Sequence, residues 1–389
     1  MGLRIVIDSP SRLLAYTGLL LVAVATQWLL ARWLIAGGKP GASRGVRLGV
    51  RTLAALVSAG MLFAFLLEAT ELYDVLPFSG WVEWARGLSM AWALCSTVIL
   101  VIAWMLRRMP EVDLSRRRLL RTAGVVLATA PAAVTAFSIL TRNRFRLREI
   151  DISVPGLPKD LDGLRLVQIS DIHLSPYLTE TDLARAIDMA NSTRAHLALV
   201  TGDLVSFRPD LLTACIRQLR KLRAEAGVLG CLGNHEIAAK CEAQATRLGL
   251  AAGIRFLRKE SEILRFGNTT VNVVGVDYQR MRDPYLRGVG ELHRPDSFNV
   301  LLSHNPDVFP VAAGQGFDLT LSGHTHGGQI TVEILHQYLN ICRFFTPYVY
   351  GLYRMGRSSI YVTRGIGTVG VPVRIGAPPE IALVRLCAT

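Results

Sequence analysis

Hydrophobic positions change their spacing near residue 145. Before it lie four long apolar segments, roughly 13–36, 52–73, 81–106 and 119–141. Each is near the ~20 residues needed to cross a bilayer as a helix. Arg32 sits near one end of the first, within snorkelling reach of an interface, and the second runs unbroken from Leu53 to Leu67. The third carries Trp81, Trp84, Trp92 and Trp104, a residue type that anchors at membrane interfaces. The fourth is rich in Ala and interrupted by Pro131. After residue 145 short apolar runs alternate with polar helical stretches. Leu164–Ile169, Leu197–Thr201, Gly227–Leu232, Val271–Val276, Asn299–Leu302 and Leu319–Leu321 read as strands, several apolar enough to be buried on both faces. A helix is expected over Thr179–Asn191: Thr179 and Asp182 have capping-box spacing, and Leu183, Ala186, Ile187 and Ala190 line one face. Strand, loop, helix and strand follow one another through residue 250, an α/β arrangement in which chemistry gathers at strand ends. The expected division is 1–145, an all-α transmembrane region of about four helices, and 146–389, a separate catalytic domain.

Charge divides at nearly the same place. Residues 1–149 hold 18 Lys/Arg against 8 Asp/Glu, and residues 150–389 hold 25 against 22, so most of the formal +13 belongs to the apolar part. The second part has no basic run interleaved with aromatics, and no nucleic-acid partner is expected. The first connection between apolar segments carries Lys39, Arg44, Arg47 and Arg51, the second is acidic with Glu68, Glu71 and Asp74, and the third carries Arg107, Arg108, Arg116, Arg117, Arg118 and Arg121. The positive-inside rule puts the first and third in the cytoplasm and everything after the fourth segment outside it, in a multi-pass protein of the cytoplasmic membrane. Arg142, Arg144, Arg146 and Arg148 weigh against that orientation. Ser115-Arg-Arg-Arg-Leu-Leu-Arg121 reads either as an internal twin-arginine export signal or as the cytoplasmic anchor of a stop-transfer helix; both export the second domain. The six cysteines form no C-x-x-C pair, which argues against a zinc ribbon or a thioredoxin-like site.

Five short stretches carry the chemistry: Asp171-Ile-His173, Gly202-Asp203, Gly233-Asn234-His235-Glu236, Ser303-His304 and Gly323-His324-Thr325-His326. Each follows an apolar run, so carboxylates, imidazoles and one amide are expected at the tips of buried strands. Five of the eight histidines fall here, whereas purely structural histidines would scatter. Two cations held by such a set supply a hydroxide nucleophile and neutralise phosphoryl charge, which is what hydrolysis of a phosphate ester at neutral pH requires. Mixed oxygen and nitrogen ligands suit Mn²⁺, Fe or Zn²⁺ better than Ca²⁺. Outside these stretches His196, His293 and His336 read as structural or surface residues. Asp277 and Tyr278 are placed to border a cleft or to serve a loop, and Gln329 and Arg364 to support the histidine loop.

These five stretches resemble the calcineurin-like metallophosphoesterase superfamily. Gly323-His-Thr-His-Gly-Gly-Gln-Ile330, with Tyr350-Gly-Leu-Tyr-Arg354, Thr363-Arg-Gly-Ile-Gly367 and Pro378-Pro-Glu-Ile381, resembles its bacterial membrane-associated branch more narrowly, over about residues 146–386. The resemblance implies a four-layer α/β/β/α sandwich of two mixed sheets. It also implies two metal sites: one of Asp171, His173, Asp203 and His326, the other of Asp203, Asn234, His304 and His324, with Asp203 bridging. His235 is then placed to protonate the leaving oxygen or stabilise the transition state, or else to orient Asn234. The expected activity is hydrolysis of a phosphate ester, and of a diester in particular, on a lipid- or wall-linked substrate at a membrane surface. Two alternatives stand beside it. One is a pyrophosphatase acting on a nucleotide-linked acylated sugar, which requires the opposite topology. The other is a non-enzymatic phosphate-binding membrane sensor.

Overall fold

The computed structural model describes residues 10–37, 43–69, 80–107, 130–206, 208–279, 285–334 and 337–389. Its backbone divides into two units, residues 1–140 with 370–373, and residues 141–369 with 374–389. The first contains helices Pro10–Gly37, Arg44–Ala69 and Gly80–Arg107, and most of the shorter Ala130–Thr141. Arg44–Leu66 and Gly80–Ile102 are long and apolar enough to cross a membrane, whereas the apolar parts Leu20–Arg32 and Ala130–Thr141 are shorter. Two of the four expected spans are thus met among the described residues. Thr26, Gln27 and Arg32 dilute the first segment, and much of the fourth, like the Ser115–Arg121 motif, lies outside the described residues.

One expectation for this unit changes. Trp92 is not an anchor at a helix end but part of an internal polar link. Its Nε1 donates to Gln27 Oε1 at 2.9 Å, and Gln27 Nε2 donates to Ser96 Oγ at 2.6 Å. The pairing satisfies a buried amide between helices, where an apolar surround makes an unpaired polar group costly. Leu30, Cys95 and Ile99 pack beside it.

The second unit is a mixed α/β sandwich. The six expected strands are present as β2 (Arg165–Ile169), β3 (Leu197–Thr201), β4 (Val228–Cys231), β7 (Thr269–Gly275), β8 (Ser297–Leu302) and β9 (Leu319–Ser322). The pattern did not mark β1 (Arg146–Val154), β5 (Ile254–Phe256), β6 (Glu260–Phe266), β10 (Thr331–Ile334), β11 (Gln337–Asn340), β12 (Gly351–Met355), β13 (Ser358–Val362) or β14 (Glu380–Ala388). One sheet runs β1-β14-β2-β3-β4-β5 and the other β12-β13-β9-β8-β7-β6, while β10 and β11 form a separate hairpin. Leu166, Leu197, Leu199 and Leu229 of the first sheet pack on Val271, Val273, Val300 and Leu321 of the second, so the two sheets are face to face. Helices Glu180–Ser192, Leu212–Leu219 and Glu242–Ala251 cover the outer face of the first sheet through Leu183, Ile187, Cys215, Ile216 and Ala245. Val308, Ala312 and Phe317 pack on Val274 and Leu301 behind the second.

Parallel pairing in both sheet centres positions the chemistry. β2, β3, β4 and β5 run parallel, as do β7, β8, β9 and β13. Loops leaving the carboxyl ends of parallel strands emerge along one edge, where ligands gather in open α/β sheets.

The helix after β2 starts as its sequence indicates. Asp182 N donates to Thr179 Oγ1 at 3.2 Å and Thr179 N to Asp182 Oδ2 at 3.0 Å, closing both halves of the capping box. Thr179→Ala is expected to lower the local opening free energy of helix Glu180–Ser192 by about 1 kcal/mol. Amide hydrogen exchange across that helix checks it: protection unchanged within error would show that the cap contributes nothing.

Candidate metal centre

Asp171 and His173 follow β2, Asp203 follows β3, Asn234 and His235 follow β4, His304 follows β8, and His324 and His326 follow β9. Backbone pairing beyond the strands locks these loops together. Asp171 N donates to Gly202 O at 3.1 Å, His173 N to Asp203 O at 3.0 Å and Gly323 N to His304 O at 3.2 Å. The ligand loops themselves depart from ordinary backbone: Asp171, His173, Asp203, His324 and His326 all have φ between +47° and +75°. Non-glycine residues seldom occupy this left-handed region, and such strain persists only where the surroundings over-determine it. Gly202 supplies the close approach its sequence position indicates, since a Cβ there would lie 2.8 Å from His304 Nδ1.

Six of the seven expected ligand residues and His235 converge, most of them buried, and Asn234 lies between Gly233 and His235, whose backbone N–H groups bond Glu236 and Asp203. Three overlapping groups have ligand atoms within 4.8 Å of one another: Asp171, His173 and His326; His173, Asp203 and His235; Asp203, His304 and His324. Asp203 belongs to two of them. Its Oδ1 accepts from His235 N at 3.0 Å, which leaves Oδ2 facing His304 Nε2 at 3.0 Å, His173 Nε2 at 3.4 Å and His235 Nε2 at 4.0 Å. Asp171 Oδ1 accepts from His324 N at 2.8 Å and lies 3.5 Å from His326 Nε2.

Hydrogen-bond accounting shows what the cluster lacks. Asp171 Oδ2, Asn234 Oδ1 and His304 Nε2 are buried without a hydrogen-bond partner. His304 Nδ1 lies 2.7 Å from Thr201 O, and His235 Nδ1 lies 3.2 Å from Ser206 O. A carbonyl only accepts, so both rings carry a proton on Nδ1 and, when neutral, turn the Nε2 lone pair inward. Buried acceptors without a partner are costly, so Asp171 Oδ2 and Asn234 Oδ1 fit a cation, which would also take the Nε2 lone pair of His304 once that ring is neutral.

Burial keeps most of the imidazoles neutral. It pushes His235 down to about 4, against the pull of Asp203. Burial and the charge on His304 push His324 down to about 3, and burial with nearby His173 holds His326 well below the usual histidine range. His304 goes the other way: burial opposes its charge, but Asp203 and Asp171 raise it to about 10. Burial raises Asp203, yet His304 and His235 outweigh it and keep that carboxyl ionised. Neutral rings at His235, His324 and His326 beside an ionised Asp203 suit a divalent metal, whereas His304, charged beside Asp203, would give up its Nε2 proton on binding one.

Several supporting residues carry no ligand signature in the sequence. Glu236 is fully buried; its carboxylate accepts from Gly233 N at 2.7 Å, Asp203 N at 3.0 Å and Leu204 N at 2.7 Å, clamping the β3 and β4 loops together. The Gly233-to-Glu236 spacing, that of an N-cap and its third helical residue, is the signal that finds it. Buried Arg374 donates to Gly367 O, Ala377 O and Arg364 O, and lies 3.4 Å from His326 Nδ1. Nothing local in the sequence marks it. Gln329 exchanges hydrogen bonds with Val369, and Arg364 packs over Tyr350 at 4.3 Å. Tyr278 borders the cleft, with its ring 5.2 Å from His324 and 6.2 Å from His304. Asp277 instead holds Arg258. His196 Nδ1 accepts from Arg165 N at 2.9 Å and His293 packs on Phe317, both structural roles, while His336 lies outside the described residues.

The Bacillus subtilis (strain 168) protein YkuE, described as an uncharacterized metallophosphoesterase, is 32% identical over 286 residues, 71% of this chain and 99% of that protein. The calcineurin-like phosphoesterase family model matches residues 164–328. The chain belongs to the calcineurin-like phosphoesterase family. It is similar also to Phosphodiesterase YaeI of Escherichia coli (strain K12), 26% identical over 288 residues, 70% of this chain and 99% of that protein. A Bos taurus transmembrane protein with metallophosphoesterase domain is 27% identical over 305 residues, 74% of this chain and 67% of that protein. This phosphoesterase is therefore a metal-dependent hydrolase, and its clustered histidines and aspartates are able to hold metal.

Glu236→Gln turns an amide N–H₂ toward backbone donors that need an acceptor. It is expected to cost about 1–3 kcal/mol and to weaken metal affinity by roughly 10–100-fold through the displaced loops. Chemical denaturation and metal titration of the same preparation read both; unchanged affinity would free Glu236 of any role in the centre.

Proposed function

We propose that this phosphoesterase is a membrane-anchored two-metal phosphodiesterase. Residues 1–145 form its anchor, and residues 146–389 its catalytic domain on the extracytoplasmic side. Asp171, His173, Asp203 and His326 would hold one divalent ion, and Asp203, Asn234, His304 and His324 a second, the pair being Mn, Fe or Zn. The observation that carries this reading is a carboxylate, Asp203, common to two buried ligand groups, together with the buried, partnerless acceptors Asp171 Oδ2 and Asn234 Oδ1. When bound, the two ions would neutralise phosphoryl charge and lower the pKa of an attacking water.

The chain's own residues do the rest. Asp203 would contribute to both sites, since its one carboxylate belongs to two ligand groups. His235 presents Nε2 to the same space, pinned through Nδ1 to Ser206 O, and is placed to stabilise the phosphoryl oxygens or pass a proton to the leaving oxygen. Its burial, which pushes the ring down to about 4, keeps it neutral at neutral pH. It also lies within ligand distance of His173 and Asp203. YaeI's description as a phosphodiesterase supports diester preference, and the bovine relative's name supports the anchor. A lipid- or wall-linked phosphodiester suits an enzyme held at a membrane surface.

The full chain in detergent, loaded with Mn²⁺, is expected to hydrolyse bis(p-nitrophenyl) phosphate and to stop on chelation. Asp203→Asn is expected to lose bound metal along with activity. His235→Asn is expected to keep both ions and lose rate by roughly 10²–10⁴-fold. Metal analysis beside turnover separates them: no hydrolysis with two ions bound would leave a phosphate-binding sensor, and loss of metal from His235→Asn would make that residue a ligand.

Orientation has its own test. A periplasmic-type alkaline phosphatase reporter fused after Arg148 is expected to be active. An inactive reporter, with a cytoplasmic reporter active at the same junction, would place the catalytic domain inside and favour a cytoplasmic nucleotide-linked substrate.

A further inference from the structure

Phe344 and Phe345 are the most exposed large apolar side chains in the described α/β unit, at 87% and 70%. They are not loose ends able to fold back. Asn340 Oδ1 accepts from Cys342 N at 2.8 Å, Phe345 N and Thr346 N both donate to Cys342 O at 2.9 Å, and Thr346 Oγ1 donates to Asp307 Oδ1 at 2.6 Å. The backbone is thus fixed on both sides of the two rings. Arg343, also exposed, precedes them.

The segment is built onto the histidine loop. Asn340 Nδ2 donates to Gly327 O at 2.8 Å, and Cys342 Sγ lies 3.8 Å from Thr325 O. Whatever holds the two phenylalanines therefore bears directly on the loop that carries His324 and His326.

Two rings supply roughly 150–250 Å² each, well short of the ~800 Å² per partner that a stable protein interface buries. A bilayer needs no shape complement. Its hydrocarbon takes up aromatic rings, and its anionic headgroups attract a neighbouring guanidinium, the pairing found on surfaces that lie in membrane interfaces. The same chain carries two helices long and apolar enough to cross a bilayer, so such a surface is a tethered neighbour. We propose that Arg343, Phe344 and Phe345 form a docking tip that inserts into the interface of an anionic bilayer and seats the histidine loop against the lipid surface. The proposal rests on membrane anchorage but not on the phosphodiesterase reading, and its test does not use turnover.

The full chain, reconstituted in nanodiscs of phosphatidylethanolamine and phosphatidylglycerol, is given a photoreactive p-benzoylphenylalanine at one position at a time. Positions 344 and 345 are compared with Leu56, exposed on a membrane-length helix, and Leu250, exposed on the α/β unit. Mass spectrometry after illumination is expected to find lipid adducts at 344, 345 and 56 and few at 250. Adding Arg343→Glu is expected to reduce the yield at 344 while leaving that at 56 unchanged. Labelling at 344 and 345 no greater than at 250, with 56 labelled, would overturn the docking tip. So would adducts to polypeptide alone, which would make the segment a contact between copies. Absence of lipid at 56 would overturn the anchorage and the docking tip with it, leaving the metal-centre assignment untouched.

Discussion

The second unit is organised around one electrostatic constraint: imidazoles and carboxylates from several strand-end loops are buried against one another, with few protons to share among them. His304 Nε2 and Asp203 Oδ2 are 3.0 Å apart, and Asp171 Oδ2 and Asn234 Oδ1 have no hydrogen-bond partner. In a low-dielectric interior such a cluster is unfavourable unless a positive charge stands among the acceptors. A divalent cation relieves several of these contacts at once, whereas a proton relieves one. The fold accordingly commits much local structure to holding the acceptors in place: strand-end pairings between β2 and β3, the Glu236 clamp, and the buried Arg374 behind His326. Stability and metal binding would be coupled here, because an ion shared by side chains from separate loops would draw those loops together.

Much of this was legible along the chain, and the boundary of what was legible has a physical cause. β2, β3, β4, β8 and β9 are short, apolar and buried on both faces, so they stand out as strands, and their ligands follow within a few residues. Thr179 and Asp182 announce a helix start because a cap is a local interaction, complete within four residues. β1 and β14 do not announce themselves. They pair with each other across more than two hundred residues, and β14 also lies antiparallel against β2, so their place in the sheet depends on partners no local window contains. Arg374 is hidden for the same reason: its neighbours are carbonyls of distant turns, which leave no residue-type signature. Trp92 was misread because tryptophan's interfacial preference is an average, and the buried amide of Gln27 overrides it at this position.

Left-handed backbone at the ligands adds a further step. Asp171, His173, Asp203, His324 and His326 adopt a conformation each disfavours, and substitution by glycine would relax the backbone only by deleting the ligand. Strain at five neighbouring positions must be balanced by interactions the same loops make. These are identifiable: Asp171 and His173 donate to the β3 loop, His324 N donates to the Asp171 carboxylate, and Gly367 N donates back to Asp171 O. The loops therefore hold one another in geometry that none would adopt alone. Preorganisation of that kind spares the centre a rearrangement as charge develops on a phosphoryl group, where electrostatic stabilisation is most effective.

The histidine loop is the part of this arrangement with the most distant connections. On one side it touches Asp171 through His324 N, so its position sets ligand geometry directly. On the other, Asn340 and Cys342 attach it to the segment bearing Phe344 and Phe345. Both attachments run from a side chain to a carbonyl of the loop that carries His324 and His326. The intervening turn, Gly327 to Gln329, is buried and is held by Thr331, Asn340 and Val369. A turn fixed at so many points holds the backbone of His324 and His326 in one geometry, which is what a precise ligand position needs.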